Sequence, residues 1–266
     1  MARRLLGLHA LLVYAFLYLP IAVVVLFAFN GGRQVLVWEG FSTKWFGNAL
    51  RDATITDAFR NSLLIAAGNA VVACILGTML ALALPRLRGS LRVPLDALVT
   101  MTLVTPEIVF GIAALVFFVE VGVALGLKTI LIAHVVFNAS VVALVVRARF
   151  VGMGQTLEEA SYDLGAGPLS TFRQVTLPRL APAILAGGLL AFTFSFDDFI
   201  TSFFVSGAGS TTLPLRIFSS LRFGVSPIIN AAAVMILALT LAAIVLAYLV
   251  LRRSEVRREA AVIPGV

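Results

Sequence analysis

Glu107, Asp197 and Asp198 stand inside long runs of apolar residues. A carboxylate at the centre of a membrane helix costs about 2.5–3.5 kcal/mol on insertion scales, which makes each acid a candidate for a solute path. Glu107 follows Thr105-Pro106, and Pro106 removes a backbone hydrogen bond, so a bend is expected beside the acid. Asp197 and Asp198 fall in Phe194-Ser-Phe-Asp-Asp-Phe199. Spaced carboxylates beside aromatic faces, with Phe194 foremost, suit a flexible organic cation. Neighbouring residues on a helix point about 100° apart, so one of the two aspartates is expected to face the path squarely. The competing role is structural, hydrogen bonding to neighbouring helices, and the path is preferred for at least one of the three acids. For His134 and Asn138, four residues apart on one face, helix–helix hydrogen bonding is preferred over lining the path.

No catalytic set accompanies these acids. The chain lacks the G-x-x-x-x-G-K-[ST] loop that cradles nucleotide phosphates, so ATP is not expected to bind here by that route. With two histidines and one cysteine, Cys74, neither a metal centre nor an intrachain disulfide is expected.

The elements that must position the acids are membrane helices. Of 266 residues, 61% are hydrophobic and 12% charged, about half the charge of an ordinary soluble chain. Apolar stretches fall at about 11–29, 61–84, 95–119, 128–146, 182–206 and 227–251. Each is long enough to cross a bilayer as a helix, and none alternates as a barrel strand would. The expected fold is all-α and integral to the membrane, a single transmembrane domain over 1–266 with six spans. With both termini in the cytoplasm, inner segments carry 13 of the 20 Lys and Arg and outer segments 7. That bias favours cytoplasmic ends, and it accounts for the net charge of +7 without nucleic acid.

The inner loop 147–181 is polar yet keeps helical spacing. Leu157, Ala160 and Leu164 share a face, Glu158 and Glu159 occupy a first turn, and Gly165-Ala-Gly-Pro168 ends the helix. A second short helix is expected from Pro168, with Pro178 and Pro182 stopping it and redirecting the chain into the fifth span. The outcome is a helix–turn–helix on the cytoplasmic face, either docking a partner or resting on headgroups.

This stretch resembles the EAA motif of ABC importer permeases: Glu159-Ala160-Ser161, three residues, Gly165, nine residues, then Val175-Thr176-Leu177-Pro178. Ser161 replaces Ala and Val175 replaces Ile. Trp38-Glu-Gly-Phe-Ser-Thr-Lys-Trp-Phe46, Asn61-Ser-Leu63, Leu213-Pro-Leu215, Gly224-Val-Ser-Pro227 and Asn230-Ala231 are similar to the spermidine/putrescine branch, which often carries an acid where this chain has Ile228. The resemblance implies a type I importer fold with a cytoplasmic coupling helix. Glu159, Ala160, Gly165, Leu177 and Pro178 would engage the ATPase. Implied partners are two ATPase subunits, a second homologous permease and an extracytoplasmic solute-binding protein, in a bacterial inner membrane. The chain itself would be neither an enzyme nor a cofactor carrier. The solute would be a polyamine, with iron or an aminophosphonate as alternatives within the branch. A proton-coupled secondary transporter is the rival class, for which inverted repeats and broken helices are expected; a membrane-embedded enzyme would need the missing catalytic set.

Overall fold

A computed structural model describes residues 2–34, 37–154, 156–222 and 226–262. The helices are α1 (Ala2–Ala28), α2 (Lys44–Arg51), α3 (Ala53–Ala83), α4 (Gly89–Val104), α5 (Glu107–Glu120), α6 (Leu127–Val151), α7 (Thr156–Asp163), α8 (Pro168–Thr171), α9 (Leu177–Asp197), α10 (Ile200–Val205), α11 (Leu213–Leu221) and α12 (Pro227–Val262). Gly224 and Val225 of the last outer-loop motif lie outside the described residues.

Among the described residues, four helical stretches are long and apolar enough to cross a bilayer: Leu5–Ala28, Ala53–Arg86, Leu127–Val151 and Pro168–Asp197. A fifth, α4 with α5, is bent by 113°. That break falls at Thr105-Pro106, where Pro106 interrupts the backbone ladder. The stretch 182–206 is also divided, because α9 ends at Asp197 and α10 starts at Ile200.

One expectation about the inner loop is corrected. Pro178 and Pro182 do not stop a short helix; α8, a π-helical turn at Phe172–Thr176 and α9 run as one 30-residue helical stretch, Pro168–Asp197. Pro178 lies in the first turn of α9, directly after the π turn. A wide π turn already displaces the regular bonding pattern, so a ring that cannot donate is accommodated there. Pro182 is carried within α9, as prolines in membrane helices often are when neighbours re-satisfy the freed groups.

The chain divides into two compact units, Met1–Phe59 with Leu213–Leu241, and Arg60–Thr212 with Ala242–Val266. In the first, Asn30 is fully buried and organises the loop after α1. Its amide donates to the Gln34 and Val37 carbonyls, and its Oδ1 accepts from the Gly32 and Glu39 amides. Trp45 Nε1 donates to the Asn30 carbonyl at 2.8 Å, so this tryptophan closes the loop as well as suiting an interface. Asp52 caps α3 through Thr54 and Ile55. The Thr54 hydroxyl is the main reason that its carboxyl sits below the ordinary 3.8.

In the second unit α6 packs along α9 and against the later part of α3. A Cβ on Gly77 would lie 2.6 Å from Val142 Cβ and 2.7 Å from the Ala139 carbonyl, so α3 approaches α6 at a distance only glycine permits. Asn69 Nδ2 on α3 donates to the Ala191 carbonyl on α9 at 2.8 Å. Ala73, Ala81, Val142, Val146, Leu180 and Ala191 form the buried contact among the three helices. Arg147 on α6 pairs with Asp96 on α4 in a two-pronged bridge, one arm measuring 3.1 Å. These contacts leave the two helix breaks next to each other on one side of α6.

Candidate functional site

The breaks at Thr105-Pro106 and Asp198-Phe199 border a cavity of about 740 Å³ in the second unit. Glu107, Asp197, Asp198 and Phe194 all line it, so the folding chain brings together the acids that sequence placed some 90 positions apart. Their environments differ. Glu107 opens α5, where a carboxylate is favoured by the helix N-terminus. Glu107 and Asp197 are exposed to the cavity, and Phe194 keeps 47% of its surface accessible. No Lys or Arg stands among the residues lining this cavity.

Asp198 is buried and closes the second break. Its Oδ1 accepts from the Thr201 amide at 3.1 Å, and its Oδ2 from the Ser202 amide at 2.9 Å and the Ser202 hydroxyl at 3.1 Å. It therefore caps α10 and satisfies backbone donors that a broken helix would strand in an apolar layer. The same Oδ2 lies 2.7 Å from His134 Nε2, and His134 Nδ1 is 2.7 Å from Ser195 Oγ.

His134 and Asn138 thus do what the preferred reading of their spacing expects. His134 ties α6 to α9 and α10, while Asn138 Nδ2 donates to the His134 carbonyl at 3.0 Å and reaches Asn69 Oδ1 at 3.4 Å. Both also border the cavity, together with Phe137 and Thr201. Sequence reasoning passed over Ser195, Ser202 and Asn69. The available signal was spacing: Ser195 and Ser202 stand three before and four after Asp198, at offsets that share a helical face. Asn69, a lone amide in a long apolar helix, is a polar group that must find a partner.

The loop after α6 carries the other candidates. Glu159 and Ala160 are exposed on α7. Helix α7 ends in a Schellman motif: the Ala166 amide donates to the Ser161 carbonyl at 3.0 Å and the Gly165 amide to the Tyr162 carbonyl at 2.8 Å. Gly165 at the centre has φ +81°, the left-handed conformation that favours glycine. Leu164 and Leu169, on either side of the bend, are 88% and 79% exposed. Leu177 is half-buried and Pro178 exposed at the start of α9. A sharp bend flanked by bare leucines and an exposed acid is a surface suited to another protein. Among the described residues, no group of three or more His, Cys, Asp or Glu side chains is placed to hold a metal ion.

A membrane-embedded helical body, an acid-lined cavity at two helix breaks and a protruding loop define a transport component. A family model described as "Binding-protein-dependent transport system inner membrane component" matches residues 73–257, and the chain belongs to that family. It is 42% identical over 257 residues to the putrescine transport system permease protein PotI of Escherichia coli (strain K12), covering 93% of this chain and 91% of that protein. It is 38% identical over 243 residues to the spermidine/putrescine transport system permease protein PotC of Haemophilus influenzae, covering 91% and 95%. Among solved structures, a chain of a bacterial ABC transporter involved in importing the acidic polysaccharide alginate matches with a TM-score of 0.73 at 15% identity, over 94% of this chain and 96% of that one. A chain of the inward-facing MetNI methionine ABC transporter matches at 0.65 and 18% identity, over 74% and 94%. The chain is the inner-membrane permease component of an ABC importer, with the type I transmembrane fold. Broken helices, expected for the rival secondary transporter, are present, so they do not separate the two classes; family membership does.

Proposed function

We propose that this permease moves a polyamine, putrescine or spermidine, into the cell. The observation that carries the reading is the cavity: exposed carboxylates of Glu107 and Asp197, an accessible Phe194, and no Lys or Arg among the residues that line it. Ammonium groups pair with the carboxylates, and the aromatic faces attract the remaining charge. The curated relatives, named as putrescine and spermidine/putrescine permeases, support the same solute class. Six spans place both termini in the cytoplasm, and α7 with the Gly165 bend forms the coupling helix. Two ATPase subunits bind and hydrolyse ATP, a second homologous permease completes the path, and an extracytoplasmic binding protein delivers the solute. The chain needs no cofactor of its own.

Uptake of radiolabelled putrescine by cells carrying the whole transporter tests the solute. Excess unlabelled spermidine should compete, whereas an iron chelate or an aminophosphonate should not; competition by either of those alone assigns another solute. Orientation is read by cysteine labelling in a Cys74→Ala background. Ala208, exposed between Ser206 and Ser210, should label from outside once changed to cysteine, and Ser254→Cys only from inside. Labelling of both sites from the same face overturns the six-span arrangement.

A further inference from the structure

Helix α7 is polar and mostly exposed, yet the side chain of Glu158 is only 14% exposed. Its Oε1 accepts a hydrogen bond from Thr176 Oγ1 at 2.6 Å, and its Oε2 lies 3.9 Å from Arg86 Nη2. Thr176 is buried at the last position of the π turn, directly before α9. Arg86 ends the 3-10 turn Leu84–Arg86 that closes α3. One carboxylate therefore joins the coupling loop to the ends of two long helices. The neighbouring Glu159 faces outward, so the paired glutamates divide: one is available to a partner and the other is turned into the permease.

What lies beyond Thr176 gives the contact its reach. The stretch Pro168–Asp197 is helical throughout, about 45 Å at 1.5 Å per residue, and ends at the cavity acid Asp197. The Asn69–Ala191 bond fastens α3 to the far part of α9. A second bond, Ser161 Oγ to Thr171 Oγ1 at 3.0 Å, holds α7 against the same rod, and it uses the side chain that replaces alanine in the motif. A push on α7 has a direct hydrogen-bonded route into α9 that bypasses the Gly165 bend. Without that route the bend is a hinge about a single left-handed residue, which would absorb the movement.

We propose that Glu158 is the positioning residue that transmits movement of the coupling helix to α9 through Thr176, and to α3 through Arg86. This rests on α7 being the helix that docks the ATPase. The test uses the complete transporter with its ATPase, purified into lipid nanodiscs, carrying Glu158→Ala, Thr176→Val or Glu158→Gln. ATPase content and basal hydrolysis should match the unaltered transporter. Stimulation of hydrolysis by solute-loaded binding protein should fall about three- to tenfold in Glu158→Ala and Thr176→Val, the loss of the part-buried Thr176–Glu158 hydrogen bond along the route. Glu158→Gln keeps an acceptor for Thr176 and should retain most of the stimulation. Unchanged stimulation in Glu158→Ala overturns the proposal, and so does a loss that only follows reduced ATPase content or thermal stability. Cross-linking of Ala160→Cys to the ATPase in the otherwise unaltered transporter checks the docking itself. Absence of that cross-link overturns the docking reading and the proposal together, whereas cross-linking with unchanged stimulation overturns the proposal alone.

Discussion

Polyamine uptake should fall by about tenfold in Asp197→Asn and by a similar factor in Glu107→Gln, because a charge-assisted hydrogen bond to an ammonium contributes roughly 1.5–3 kcal/mol. Both carboxylates are exposed to the cavity, and neither is needed to close a backbone gap. The transporter should therefore assemble at normal yield with its ATPase bound. Asp198→Asn should behave differently. Its carboxylate accepts two backbone amides, a serine hydroxyl and the His134 imidazole. An amide cannot accept all of these, and leaving a buried partner unsatisfied costs about 1–3 kcal/mol. The expected result is a lower yield and melting temperature, with reduced uptake following from them. Transport at unaltered rates by the Asp197 and Glu107 variants would make these acids structural and remove the argument for a cation. Normal stability of Asp198→Asn would show that the cap on α10 is dispensable.

Replacing Gly165 by valine should sharply lower recovery of the ATPase with the permease, while insertion into the membrane continues. The glycine has φ +81°, and a side chain in the left-handed region costs about 1–2 kcal/mol, more for a β-branched one. Among the described residues, its two chain neighbours aside, nothing lies within 4 Å of a Cβ built there, so no clash with them forces misfolding. The damage is directed outward: the Schellman turn loosens and the added methyls stand where a docking partner must approach. ATPase recovered on tagged permease should drop by about tenfold or more, as that strain alone approaches one decade of affinity. Gly165→Ala, with a smaller side chain and less strain, should fall between. A full complement of ATPase on the valine variant would move the docking surface away from this bend.

The amino-acid sequence determined the class of fold through composition and hydropathy, because lipid leaves a chain few ways to satisfy its backbone. Six apolar stretches, the EAA-like spacing and the acids within the spans were legible from residue order. So was the bend at Pro106, where the ring removes a backbone donor beside Glu107. Prolines at 178 and 182 misled for the complementary reason: whether a proline ends a helix depends on the turn before it and on the neighbours that take up the freed carbonyl. A π turn leaves no mark in apolar periodicity.

The tertiary structure alone decided how equivalent residues differ. Asp197 and Asp198 are adjacent and chemically identical and both border the cavity, yet one is exposed to it and the other is buried, caps α10 and holds His134. Glu158 and Glu159 part in the same way, one turned toward Thr176 and the other exposed. A one-position shift rotates a side chain by about 100°, and which direction is inward depends on helices that arrive from distant sequence. Periodicity identifies a polar residue among apolar ones, but only packing of α6, α9 and α10 supplies its partner and hence its role.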